Sequence, residues 1–97
     1  MTDTNIFDLS GRVAVVTGGN GGIGLGMARA LAQAGCAVSI WGRNAEKNDA
    51  ALASLAGARG AVEARVCDVT DRSSVDAAMQ ATLAAFGRVD GCFANAG

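Results

Sequence analysis

Four short apolar runs alternate with segments of helical periodicity, and this alternation constrains the fold more than any other feature. The strand-like runs occupy residues 12–17, 36–41, 61–69 and 88–97. Between them lie predicted helices over residues 23–34, 45–57 and 71–86. Short connections between such elements predict a parallel sheet with helices on both faces. We therefore expect an α/β fold, a doubly wound parallel sheet in three αβα layers, with right-handed crossovers and strand order 3-2-1-4.

Apolar spacing predicts which side of two helices is buried. In the first helix the apolar positions are Ile23, Met27, Ala30, Leu31 and Ala34. In the third helix they are Val75, Ala78, Met79, Thr82, Leu83 and Phe86. Thr70 is the predicted N-cap of the third helix, with Asp71 in its first turn. The predicted helix ends are at Gly35, Gly57 and Gly87, since glycine suits the left-handed stop.

Alternation in the third strand predicts its place in the sheet. Val62, Ala64 and Val66 alternate with Glu63 and Arg65, which is typical of a strand with one polar face. We expect this strand near an edge of the sheet, with its polar face wetter than the other.

Composition excludes several classes of partner. The 97 residues are 51% hydrophobic and 18% charged, with a formal net charge of -1, which fits one globular domain or part of one. There is no basic stripe for nucleic acid and no polybasic membrane anchor. No apolar run approaches the roughly 20 residues that span a bilayer. The polar, acidic N-terminus predicts no signal peptide, so we expect a cytoplasmic protein.

The cysteine pattern predicts neither a metal site nor a disulfide framework. Cys36, Cys67 and Cys92 lie far apart, and the chain contains no histidine, so a zinc site is not expected. We interpret the three cysteines as small buried apolar residues in a reducing compartment.

A glycine-rich segment, TGGNGGIG at residues 17–24, joins the first strand to the first helix. The first N–H groups of a helix point outward without partners, and together with the helix dipole they can bind a phosphate. A β-carbon would block the close approach of a pyrophosphate to this backbone, which glycine permits. The alternative is that the glycines serve only a tight turn; the strand–loop–helix setting favours phosphate binding.

The spacing of this segment is T-G-x-x-x-G-x-G, and with it the chain resembles the short-chain dehydrogenase/reductase family. Three further stretches carry the resemblance: GRN after the second strand, CDVTD after the third, and ANAG at the end of the fourth. All lie at carboxyl ends of predicted strands, where open α/β sheets bind ligands. The similarity runs from Gly11 to Gly97 and implies that residues 1–97 are the N-terminal part of one dinucleotide-binding Rossmann-type domain.

The resemblance also implies a set of cofactor-binding residues. These are Gly18, Asn20, Gly22, Ile23, Gly24, Arg43, Asn44, Asp68, Val69, Asn95, Ala96 and Gly97. Gly18, Gly22, Ile23 and Gly24 would hold the pyrophosphate. Asp68 would accept a hydrogen bond from the adenine amino group beside the Val69 backbone, and Asn95 would brace the loop and line the adenine-ribose side. Asp68 as a strand-end cap and Asn95 as a turn former are the alternatives, and Ala94 departs from the asparagine that many relatives carry.

The residues after the second strand bear on the choice of nicotinamide cofactor. An acidic residue there would hold the ribose hydroxyls of NAD and repel the 2′-phosphate of NADP, but this chain has Gly42 and Arg43. A guanidinium can pair with a phosphate through two hydrogen bonds, so we expect NADP, with NAD as the alternative. Arg43 could instead be a solvated turn residue, since Gly21 occupies the slot that often carries a second basic residue. Trp41 could flank the adenosine, although a core position is favoured.

The resemblance implies hydride transfer between a nicotinamide and a small alcohol or carbonyl substrate, usually in a homo-oligomer. The acid/base of the family is a tyrosine with a lysine four residues on, and this chain contains no tyrosine. We therefore assign no catalytic residue and expect the 97 residues alone to be inactive. The alternatives are a non-enzymatic dinucleotide-binding module complete at Gly97 and a scaffold without a ligand; the exposed edge of the fourth strand argues against the module.

Overall fold

Strands and helices alternate along the chain as predicted. The structure, a computed structural model, describes residues 8–95. Its elements are β1 (Val13–Thr17), α1 (Gly22–Gln33), β2 (Ala37–Gly42), α2 (Ala45–Ser54), β3 (Val62–Val66), α3 (Arg72–Phe86) and β4 (Gly91–Ala94). All strand pairs are parallel, and their order is β3-β2-β1-β4. The predicted order 3-2-1-4 is confirmed, with β3 and β4 at the two edges.

The core consists of two apolar clusters, one on each face of the sheet. On one face α1 and α2 cover side chains such as Val16, Val38 and Ile40, all fully buried. On the other, α3 covers Val15 and Trp41. The alternating side chains of a strand point to opposite faces, so the apolar residues of β1 and β2 serve both clusters. This arrangement confirms the three αβα layers.

The buried side of α1 differs from the prediction. Its buried residues are Gly24, Ala28 and Ala32, whereas Ile23 is 78% exposed and Ala30 is also exposed. Small residues allow the helix axis to approach the sheet closely, and the larger apolar side chains then lie at the margins of the contact. Apolar spacing predicted the wrong buried face because it identifies large apolar side chains, whereas the face of α1 that packs against the sheet consists of small residues.

The start and the stripe of α3 also differ from the prediction. Asp71, not Thr70, is the N-cap: its side chain accepts a hydrogen bond from the Ser73 backbone N–H at 3.0 Å. Thr70 instead donates its hydroxyl to Asp68, at 2.7 Å. Leu83, placed in the buried stripe, is 41% exposed. All three predicted end glycines have positive φ. Gly87 directly follows α3 and Gly35 follows the C-cap of α1, Ala34, whereas α2 already ends at Ser54, before Gly57.

The polar side of β3 is partly covered by α3, and its side chains are half-buried. Glu63 accepts hydrogen bonds from Ser39 Oγ at 2.7 Å and from Arg65 Nε at 2.8 Å. The Thr82 hydroxyl of α3 lies 3.3 Å from that of Ser39 and accepts from Trp41 Nε1 at 3.4 Å. The expected wet face is therefore a half-buried polar network, and Trp41 is a core residue.

The cysteines are free thiols, but only two of them are core residues. Cys36 and Cys67 are buried, whereas Cys92 is exposed on the edge strand β4. Burial raises the pKa of the Cys36 thiol, so that thiol stays protonated at neutral pH. The interpretation of Cys92 as a buried residue was wrong, because β4 lies at an edge of the described sheet.

Candidate functional site

The carboxyl ends of β1, β2 and β3 surround an open cleft with a volume of about 720 Å³. In parallel sheets this end of the strands is where ligands bind. The cleft is lined by Gly18, Asn20, Trp41, Gly42, Arg43, Asn44, Lys47, Cys67, Asp68, Val69 and Thr70. Six of the predicted site residues are among them: Gly18, Asn20, Arg43, Asn44, Asp68 and Val69.

The loop from β1 to α1 has the backbone conformation that its glycines allow. Gly18 and Gly22 have φ of 68° and 56°, a left-handed region that other residues rarely adopt. The Gly18 N–H donates to the Trp41 carbonyl at 2.9 Å, which fixes the start of the loop against β2. The loop therefore leaves β1 and enters α1 within a few residues.

The N-terminus of α1 lacks a capping side chain. Its N-cap is Gly21, with no side-chain hydrogen bond, whereas Asn44 caps α2 and Asp71 caps α3. The first N–H groups of a helix need partners, and here no side chain of the N-cap supplies one. The positive end of the helix dipole is available for an anion at this place.

Close packing between this loop and α1 depends on Gly24. A β-carbon there would overlap the Gly18 carbonyl oxygen and lie 2.8 Å from Asn95 Nδ2. A β-carbon at Gly22 would have open space around it. Glycine is therefore needed there for its positive φ and not because a side chain would clash. Ile23, between them, is exposed at the start of the helix.

Two basic residues line the side of the cleft beyond β2. Arg43 directly follows β2 and is exposed. Lys47 lies in the first turn of α2, where its N–H donates to the side chain of Asn44 at 2.9 Å. Lys47 was not among the predicted site residues, because a second cation was expected only in the glycine loop, at Gly21. A lysine four residues after Arg43, just inside the following helix, is the signal that could have revealed it.

Asp68 lies at the opposite wall of the cleft, after β3. Its carboxylate accepts hydrogen bonds from the Thr70 hydroxyl at 2.7 Å and the Thr70 N–H at 3.0 Å. These bonds, and then the positive charge of Arg43, lower the pKa of Asp68 against the opposing effect of desolvation. Asp68 therefore forms the local turn expected of a strand-end cap and also presents an ionised acceptor to the cleft.

Asn95 lies beside the glycine loop rather than in the cleft lining. Its N–H donates to Thr17 Oγ1 at 3.0 Å, which joins the end of β4 to the end of β1. Its side chain adjoins the space above Gly24. The predicted site residues Ala96 and Gly97 lie outside the described residues.

Among the described residues, 8–95, there is no group of three or more potential metal-ligating side chains. None of their helices is long and apolar enough to cross a membrane.

The parallel sheet, its strand order and the glycine loop at the cleft define a Rossmann-type α/β protein. A family model described as short chain dehydrogenase matches residues 12–97. The chain belongs to the short-chain dehydrogenase family.

Individual relatives differ in substrate and cofactor. D-threitol dehydrogenase of Mycolicibacterium smegmatis is 46% identical over 84 residues, which cover 87% of this chain and 32% of that protein. The structure of NAD+-bound xylitol dehydrogenase superposes with a TM-score of 0.87 at 36% identity, covering 91% of this chain and 34% of that one. NADPH-dependent 3-quinuclidinone reductase from Rhodotorula rubra gives 0.83 at 37% identity, covering 92% and 34%. The chain thus spans about a third of the length of these relatives.

Proposed function

We propose that this chain is the dinucleotide-binding part of an NADP-dependent oxidoreductase that acts on an alcohol or carbonyl group of a small molecule. Residues 1–97 would form the N-terminal part of a single Rossmann-type domain. The observation that carries the proposal is the N-terminus of α1, which has no side-chain cap and follows a glycine loop beside the cleft. Family membership supports it, since the named relatives are dehydrogenases and a reductase.

The glycine loop fits the pyrophosphate of such a cofactor. A β-carbon at Gly24 would overlap the Gly18 carbonyl oxygen, so glycine at this position is what allows the loop to lie close against the start of α1. Backbone N–H groups of Gly22, Ile23 and Gly24, with the helix dipole, would hold the two phosphates, and Gly18 would let them approach the end of β1.

The adenosine would lie along the remaining cleft. Asp68, kept ionised by its low pKa, would accept a hydrogen bond from the adenine amino group, with the Val69 backbone beside it. Asn95, bonded to Thr17, would brace the loop. Ala96 and Gly97, which follow Asn95 in the sequence, would bind the cofactor together with it.

The preference for NADP rests on positive charge near the predicted 2′-phosphate position. Arg43 and Lys47 line the same cleft, and no carboxylate stands directly after β2. A phosphate carries about two charges that a carboxylate would repel and a guanidinium can bind bidentately. Asn44 contributes by capping α2 and so fixing the turn between these cations.

The bound nicotinamide would supply hydride transfer to or from the substrate carbon. The residues of this chain would bind and orient the cofactor; none of them is assigned the proton transfer, and the chain has no tyrosine. We also propose a cytoplasmic homo-oligomer; the free thiols Cys36, Cys67 and Cys92 suit a reducing compartment.

Calorimetric titration of the full-length protein with NADPH and NADH tests this proposal. We expect binding of both, with NADPH tighter, and NADPH-dependent reduction of at least one member of a panel of aldehydes and ketones. The isolated 97 residues should show no carbonyl reduction. Binding of neither dinucleotide would overturn the proposal, while binding without turnover of any alcohol or carbonyl compound would favour the non-enzymatic module.

A further inference from the structure

Asn48 is a buried polar residue on α2 that lies behind the cleft. It is only 3% exposed and belongs to none of the cofactor roles described above. A buried amide is costly unless its donors and acceptor are paired. The position of its partners therefore indicates what the residue holds together.

The partners of Asn48 come from three segments around the cleft. Its Nδ2 donates to the Gly42 carbonyl at 3.0 Å, at the end of β2, and to the Arg65 carbonyl at 3.3 Å, on β3. Its Oδ1 accepts from Asn20 Nδ2 at 2.9 Å. The two carbonyl oxygens determine which end of the Asn48 amide faces which way, and this in turn makes Asn20 the donor.

Gly42 makes room for this pair of amides. A β-carbon on Gly42 would lie 2.6 Å from Asn48 Oδ1 and overlap the Asn20 side chain. Asn20 belongs to the glycine loop and Gly42 immediately precedes Arg43, so the pair joins the predicted pyrophosphate site to the predicted 2′-phosphate site.

We infer that Asn48 is a positioning residue for the dinucleotide cleft, which holds Asn20 and the turn after β2 in one fixed arrangement. The inference rests on the proposed function. Preorganisation of this kind reduces the ordering cost of binding. A loop that loses its anchor must be ordered by the ligand itself, so affinity for both dinucleotides falls.

Dinucleotide affinities of the full-length variants Asn48→Leu, Asn20→Ala and the double variant test the inference. Loss of a hydrogen bond of this kind should weaken NADPH and NADH by about 5- to 10-fold in each single variant. The double variant should be little worse than the single ones, because the shared bond is already lost. Asn48→Ser, smaller and still polar, replaces Asn48→Leu if the latter does not fold.

Thr82→Val is the matched control, because Thr82 is also fully buried and hydrogen-bonded but lies on the opposite face of the sheet. It should lower the melting temperature without changing either dissociation constant. A purely structural Asn48 would behave like this control, and unchanged affinity in the Asn48 variants would overturn the inference, as would fully additive effects. A wild-type protein that binds neither dinucleotide overturns the proposed function, and this inference with it.

Discussion

At the scale of single residues, the proposed preference for NADP over NAD would depend on Arg43 and Lys47. We expect Arg43→Ala to weaken NADPH roughly 10-fold, since it removes a charge-assisted pair with the phosphate, and to leave NADH nearly unchanged. Arg43→Asp should cost more, because it adds repulsion. Lys47→Ala should have a smaller effect of the same kind, since an ammonium acts as a point charge. Calorimetric dissociation constants for both cofactors provide the measurement.

Arg29→Ala is the control for this pair. Arg29 is an exposed arginine on α1 that donates to the Ser54 carbonyl, at 3.3 Å, away from the cleft. Its removal changes the net charge by the same amount and should leave both affinities unchanged. Equal losses for NADPH and NADH in the Arg43 variant would remove Arg43 from the proposed phosphate site.

Residue-scale prediction from sequence succeeds where a residue is next to a strong local signal. Arg43 directly follows an apolar strand, so its place at the cleft could be predicted. Asn48 could not, because its partner Asn20 is 28 residues away and a lone asparagine in a helical segment suggests an exposed position. Thr70 and Asp71 are both good N-caps; the bond from Thr70 to Asp68 decided between them.

At the scale of elements, the contact between the glycine loop and α1 depends on fit rather than on hydrophobicity. We expect Gly24→Ala to destabilise the fold by about 1–3 kcal/mol, because the new methyl group overlaps the Gly18 carbonyl. Both dinucleotides should also bind more weakly, and to the same degree, because they share the pyrophosphate. Urea unfolding and calorimetry measure the two effects.

The same helix provides a matched control in Gly26→Ala. A β-carbon at Gly26 would contact no residue beyond the nearby backbone of its own helix, and alanine is the better helix former by about 1 kcal/mol. This variant should be as stable as the wild type or more so. If Gly24→Ala matched it in stability and affinity, the close approach of α1 to the loop would not matter. The apolar positions predicted for α1 could not reveal this contact, because the residues that α1 actually buries are glycine and alanine.

At the scale of the whole molecule, sequence was sufficient for architecture. The three layers follow from the alternation of elements, and the strand order from right-handed crossovers together with the usual doubly wound order; no single side chain decides either. The edge position predicted for β3 is confirmed, but its polar face is not simply wet, because Thr82 of α3 hydrogen-bonds to Glu63 there. Which face a helix covers depends on packing between elements distant in sequence.

Acid stability is a property of the whole molecule to which hydrogen-bonded carboxylates contribute. Hydrogen bonds lower the pKa of Asp8, Asp68 and Asp90 below the ordinary value of 3.8. For Asp90 the first cause is Arg88, followed by the N–H of Val13, which it accepts at 2.8 Å at the start of β1. The folded state therefore binds fewer protons than the unfolded chain on acidification, so this stability is complete well above 3.8 and is lost as pH falls through the folded pKa.

The Asp90→Asn variant separates the contribution of Asp90 to acid stability from those of the other carboxylates. This variant should be less stable than the wild type at about pH 7. It should also lose less stability between about pH 5 and pH 3, because one of the carboxyl groups with a lowered pKa has been removed. Asp76→Asn, at an exposed position of α3 with no side-chain hydrogen bond among the described residues, removes the same charge and is the matched control. Urea midpoints across this range give the comparison. An Asp90→Asn variant with the full wild-type slope would show that the hydrogen bonds of Asp90 to Arg88 and Val13 add nothing to acid stability.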